Sequence, residues 1–131
     1  MSENTWPSEW LRGVLDVCVL RILADGPTYG YAVAARLADG GLGTIKGGTL
    51  YPLLARLEAA GLVTVEWRAG DGGPGRKYYD LTETGRHELT QRSTLWEAFT
   101  RTTRDLVAGA GAEQPGADDP ARRSTPTEEN R

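Results

Sequence analysis

GGTLYPLLARLEAAGLVTVEWRAGDGGPGRKYYDLTETG, residues 47–85, is the stretch whose reading decides the fold. Leu50, Leu53, Leu54 and Leu57 recur at the three- and four-residue spacing that lines one side of a helix. That helix reads as roughly residues 48–60, with Pro52 in its first turn and Gly61 just past its end, where left-handed backbone is common. Residues 62–68 and 77–81 are β-branched and aromatic with rough alternation, and the glycine-rich run 69–76 joins them as a hairpin tip. A helix, a glycine stop and a hairpin in this order describe a winged helix-turn-helix, which lays one helix in the major groove of DNA with the hairpin beside it.

Upstream, Leu11, Val14, Leu15, Cys18 and Ile22 follow helical spacing, with Val17, Leu20 and Leu23 on a second side. Ser8 reads as the N-cap of this first helix. A helix apolar on two faces covers its own domain with one and needs another partner, most simply a second subunit, for the other. Asp25-Gly26-Pro27 ends it. A second helix is expected over about 28–38, with Tyr31, Ala34 and Leu37 facing inward. Downstream, Thr82 reads as the N-cap of a last helix running to about residue 108. Its thin apolar line, Leu89, Leu95, Trp96, Phe99, Leu106 and Val107, asks for a partner helix. Residues 109–131 lack periodic apolar positions and read as a disordered acidic tail.

The expected class is α+β, mainly α: three helices and a two-stranded wing over residues 8–81, then a C-terminal dimerisation helix over 82–108. At 131 residues there is room for one domain of ordinary size. No apolar run is long enough to span a membrane, no secretory signal opens the chain, and the lone Cys18 suits a reducing compartment; the expected location is cytoplasmic. The net charge of −3 looks wrong for a nucleic-acid partner. Part of it sits in the tail, which carries five acids against three arginines and leaves the body twelve basic and thirteen acidic residues. DNA would then be held by a few placed cations with moderate salt dependence.

The segments Gly26-Pro27-Thr28-Tyr29-Gly30-Tyr31, Gly48-Thr49-Leu50-Tyr51-Pro52-Leu53-Leu54-Ala55-Arg56-Leu57-Glu58 and Gly73-Pro74-Gly75-Arg76-Lys77-Tyr78-Tyr79-Asp80-Leu81 resemble the PadR family of bacterial transcriptional regulators. The resemblance covers about residues 11–108 and fits the short subfamily with one C-terminal helix. It implies a winged-helix homodimer, built by the first and last helices, that mostly represses nearby genes. In several such relatives small hydrophobic or aromatic compounds bind between protomers and release DNA. The chain departs from the family pattern at Tyr29, often His, and at Gly47 and Gly75, often Pro.

With its leucines inward, the recognition helix should present Lys46, Thr49, Tyr51 and Arg56 to an inverted-repeat operator in double-stranded DNA. Its N-terminal N–H groups suit phosphate, as do Thr49 and Tyr51, whereas Arg56 could read guanine or hold the backbone. Arg56 could instead pair with a nearby carboxylate, and Tyr51 could be a packed ring. Arg76 and Lys77 follow a glycine-rich hairpin tip that could approach the backbone closely, where an arginine could enter a narrow minor groove; an ordinary solvated charge is the other reading. Of Tyr78 and Tyr79, on opposite strand faces, one should be core. Trp96 could line an effector site between paired helices, with Trp10, Val14, Leu15 and Cys18 as its walls; packing in a dimer core is the other reading. Trp6 reads as an N-terminal anchor and Trp67 as a strand residue. One histidine, one cysteine and no metal-spaced cluster, P-loop or dinucleotide fingerprint leave no enzyme and no cofactor to propose. The rival reading is a winged helix that binds protein rather than DNA.

Overall fold

The computed structural model describes residues 6–70 and 72–109. The elements are α1 (Ser8–Arg12), α2 (Leu15–Leu23), β1 (Thr28–Tyr29), α3 (Gly30–Leu37) with a π-helical turn over Ala38–Leu42, α4 (Gly47–Ala59), β2 (Val63–Gly70), β3 (Gly73–Leu81) and α5 (Glu83–Ala108). Two compact units divide the chain, Met1–Ser93 and Thr94–Arg131.

The first unit is closed by one core. Leu15, Val19, Leu20 and Leu23 of α2, Val33 and Leu37 of α3, and the stripe Leu50, Leu53, Leu54 and Leu57 of α4 are all buried. Val63 and Leu81 close it from the sheet. The four leucines of α4 are spent inward as their spacing predicts, which leaves its other faces to solvent.

Both ends of the α4–wing segment are capped by their own residues. At the end of α4, Leu62 N–H donates to the Leu57 carbonyl and Gly61 N–H to that of Glu58, each at 2.9 Å. With Gly61 at φ 78° and Leu57 and Leu62 buried, this is the paired-bond helix stop with its apolar contact. Thr82 caps α5 by accepting from Gly85 N–H at 2.9 Å while its hydroxyl donates to the Gly61 carbonyl at 2.8 Å. One threonine thus ties the start of α5 to the end of α4. Gly85 is buried against the Leu62 carbonyl and Leu81, where a Cβ would collide.

Several expectations are corrected. The first helix is two, because Gly13, a poor helix former, and Val14 at φ −125° interrupt it. Ser8 lies inside α1, and Pro7 takes the capping position without a side-chain bond. The sheet has three strands in the order β1-β3-β2, all antiparallel. Thr28 and Tyr29 pair with Tyr79 and Tyr78 instead of opening the second helix, as a β-branched and an aromatic residue can. That helix starts at Gly30, so its inner face is Gly30, Val33 and Leu37, and Tyr31 turns outward with 76% exposure. Pro52 is the sixth residue of α4, beyond the first turn, so it does remove one i→i−4 bond. The wing strands continue beyond the expected ends to Gly70 and Gly73.

The opening of α5 belongs to the first unit: Leu89 packs on the core, and Arg92 donates to Glu88 at 2.7 Å and reaches Asp16 of α2 at 3.4 Å. In the second unit the described residues continue the helix to Ala108, with the Trp96 and Phe99 rings 5.8 Å apart. Leu95, Trp96, Phe99, Leu106 and Val107 are exposed there. The expected tail, apart from Gly109, lies outside the described residues.

Candidate nucleic-acid interface

The α4 N-terminus is built without a side-chain cap. Lys46 takes the capping position in extended backbone, and its carbonyl accepts from Thr49 and Leu50 N–H at 2.9 Å. Gly47, Gly48 and Thr49 follow in solvent, with the Tyr51 ring beside Gly47. Lys46 sets a positive charge on the positive end of the helix dipole, which suits an anion there.

Tyr51 is half exposed, and its ring lies over the start of α3. A Cβ built on Gly30 would come within 2.5 Å of the Tyr51 ring and hydroxyl, so Gly30 is the hollow in which that ring sits. One side of the Tyr51 ring packs on α3 and the other faces out.

Arg56 stands two helical turns from Thr49 on the opposite flank of α4 from Tyr51. Its guanidinium is 3.9 Å from Asp16, a carboxylate that Arg92 also approaches. The carboxylate that Arg56 approaches is thus on α2. At 67% side-chain exposure and this distance the pair is loose, and Arg56 stays free to turn to another partner.

The wing differs from its expected geometry. Arg76 pairs in register with Arg68 inside the strands and does not sit at the tip, since the ladder continues to Gly70 and Gly73. The Arg76 guanidinium lies 4.3 Å from the centre of the Tyr29 ring. Lys77 pairs with Trp67 and points to the opposite sheet face. Tyr79 is the core tyrosine of its pair, and Tyr78 is half-buried.

Between the wing and the starts of α3 and α4 runs an open cleft of about 350 Å³. It brings together Tyr51, Arg76 and Lys77 with Tyr29, Tyr31, Trp67 and Tyr79 over a floor that includes Gly30 and Gly75. Lys46, Thr49 and Arg56 do not line it. Tyr29, Tyr31 and Trp67 were missed by sequence reasoning. The stripe Val33–Leu37 would have turned Tyr31 outward, and Trp67 continues the inward alternation of Val63 and Val65 past the edge of the core.

The first-unit residues expected to wall the effector site differ in exposure. Trp10 is 62% exposed on α1, and Val14 is half-buried between α1 and α2. Leu15 is 3% exposed in the core of its own unit, so its side chain is already spent there. Cys18 is half-buried, and burial pushes its thiol pKa up, which opposes a reactive thiolate. Trp6, read as an anchor, donates its indole N–H to the Gly41 carbonyl at 2.8 Å.

Residues 19–91 match the model of the transcriptional regulator PadR-like family. The chain belongs to that family. It is 36% identical over 93 residues to the transcriptional regulator Rv3488 of Mycobacterium tuberculosis, covering 71% of this chain and 85% of that protein. The crystal structure of a PadR family regulator from Eggerthella lenta is similar at TM-score 0.68 and 39% identity, over 76% of this chain and 86% of that one. A PadR-like regulator from Bacillus cereus matches at TM-score 0.68 and 32% identity, over 76% and 96% of the two chains. The winged-helix fold is thus this family's fold, and the family is one of transcriptional regulators, not enzymes. No helix among the described residues is long and apolar enough to cross a membrane.

Proposed function

We propose that this PadR-like protein is a cytoplasmic, homodimeric repressor that binds an inverted-repeat operator and is released by a small planar hydrophobic compound. The observation that carries the DNA reading is the continuity between the uncapped α4 N-terminus and the wing. Lys46, Thr49 and Tyr51 stand exposed on the first, Arg76 and Lys77 on the second, and an aromatic cleft shared by Tyr51 and both wing cations joins them. A helix in the major groove would set register, with Tyr51 and Thr49 on phosphate oxygens and Arg56 turned from Asp16 to a base or phosphate. Two copies of α4 about a two-fold axis call for half-sites about one helical turn, or a multiple, apart. Fluorescence anisotropy on a duplex carrying the gene's own upstream region tests this; binding no tighter than to an unrelated duplex overturns it.

Dimerisation is supported by the exposed apolar residues of α5, Leu95, Trp96, Phe99, Leu106 and Val107, in a helix otherwise polar. Paired copies of this helix bring two Trp96–Phe99 pairs together, and offset rings of that kind suit a flat aromatic guest. Planar hydrophobic compounds should quench tryptophan fluorescence in the parent and in Trp10→Phe and Trp67→Phe, but not in a dimeric Trp96→Ala. If Trp96→Ala remains dimeric and binds them as well as the parent, Trp96 is packing and the effector site is elsewhere.

A further inference from the structure

Arg68 and Arg76 face each other in register on β2 and β3, on the same side of the sheet. Like charges directly opposite across a ladder oppose pairing. Here each guanidinium is drawn diagonally onto a tyrosine of the next strand over. Arg68 lies 4.4 Å from the centre of the Tyr78 ring and Arg76 lies 4.3 Å from that of Tyr29. The two rings, paired in register themselves, are 5.5 Å apart. Both arginines therefore lean the same way along the wing and shift by one strand in parallel. The two seats are the neighbouring rings 5.5 Å apart, so the guanidinium groups they carry can reach one phosphate between them. The pairing slips by one residue just beyond, between Arg68 and Gly70, and Gly75 lets the strands approach there: a Cβ on it would sit 3.0 Å from the Arg68 carbonyl. Glu66, on the same face, comes 3.5 Å from Arg68, so the patch carries two cations and one anion.

We propose that Arg68 and Arg76, seated on Tyr78 and Tyr29, form a two-arginine clamp on each wing for one backbone phosphate of duplex DNA. The clamp rests on the DNA-binding reading and adds Arg68 and its tyrosine seat to it. Ring stacking spends the flat faces of the guanidinium groups and leaves their N–H edges to donate, Arg68 by exchanging its exposed Glu66 partner at 3.5 Å for the phosphate. It also holds the two long side chains in one arrangement before the phosphate arrives, which lowers the ordering cost of binding.

The test uses the full chain and a duplex of arbitrary sequence at low salt, because phosphate contacts ignore sequence. Arg68→Ala should weaken binding several-fold and lower the slope of log affinity on log salt, as Arg76→Ala does. The double variant should lose clearly less than the product of the two single losses, since both arginines serve one phosphate. Arg68→Lys should fall between parent and Arg68→Ala, and it carries the test if Arg68→Ala lowers the thermal midpoint. Tyr78→Leu, which removes the aromatic seat, should follow Arg68→Ala. Parent-like affinity and slope in Arg68→Ala, fully multiplicative losses, or parent-like affinity in Arg68→Lys would overturn the clamp while leaving DNA binding intact. A parent that binds no duplex removes the DNA reading and the clamp together.

Discussion

Helix α4 and the wing meet at one cleft but are built on opposite plans. α4 puts its leucines inward and shows solvent mostly small or neutral groups such as Gly48, Thr49, Pro52 and Ala55, with Tyr51 half exposed, Lys46 at the start and Arg56 late in the helix. The wing carries Arg68, Arg76 and Lys77 within ten residues of sequence, two of them set on tyrosine rings. In an acidic chain this division has a physical logic. Affinity from phosphate contact needs cations, and a hairpin with little core to fill can supply them. Register needs a rigid surface, and a helix anchored by four buried leucines supplies that.

The largest effect that tests this division is expected in the wing. Arg76→Ala with Lys77→Ala should reduce affinity about tenfold or more on every duplex and lower the salt slope by roughly 2–4 for a dimer with two seated wings. A loss confined to the operator would reverse the assignment of affinity to the wing. Arg56→Ala comes next. If Arg56 leaves Asp16 to read a guanine, the cost should be about 1–3 kcal/mol on the operator, with one position per half-site relaxed. Measured against a panel of single-base operator variants, a uniform loss would make Arg56 a phosphate contact like those of the wing.

The same contrast explains what could be read from the chain. Where burial decides position, as for Leu50, Leu53, Leu54 and Leu57, spacing alone located the face. The stop at Gly61 and the cap at Thr82 followed from local backbone chemistry and are present as hydrogen bonds. Misreadings arose where a second element competes for a residue. Thr28 and Tyr29 have a strand partner supplied by Tyr78 and Tyr79, about fifty residues away, and no local pattern shows it. Arg76 looked like a tip residue because glycine-rich sequence marks turns, whereas the ladder tolerates Gly73 and Gly75 in strand. The cleft was illegible for the same reason: Tyr31, Tyr51 and Trp67 come from three elements that only the fold brings together.

A smaller effect is expected at the joint between the two plans. Gly30→Ala places a methyl group where the Tyr51 ring now lies, and the atoms in its way are the far end of a side chain free to swing outward. Stability should therefore change by less than about 1 kcal/mol, helped by the better helix propensity of alanine. Tyr51 would leave its seat, so operator affinity should fall several-fold with little change in the thermal midpoint. Equal affinity would mean that DNA does not use the packed position of Tyr51.

The smallest effect lies away from both regions and serves as their control. Asp25 accepts from Arg36 at 2.8 Å and from Arg21 at 2.9 Å. The Arg36 bond first, then that of Arg21, holds its carboxyl below the usual aspartate range. A carboxylate that binds its proton less readily in the folded chain than in the unfolded one adds stability at neutral pH. That contribution is lost as pH falls through the ordinary aspartate value, about 4, and then through the lower folded one. Because the site is exposed, solvent and salt screen it and the gain is small. Asp25→Asn should lower the thermal midpoint slightly at pH 7, less so in high salt, and the difference from the parent should vanish in acid. DNA affinity should not move. A change in operator binding at neutral pH would show that the α2–α3 turn takes part in the interface, so that the helix and wing do not carry it alone.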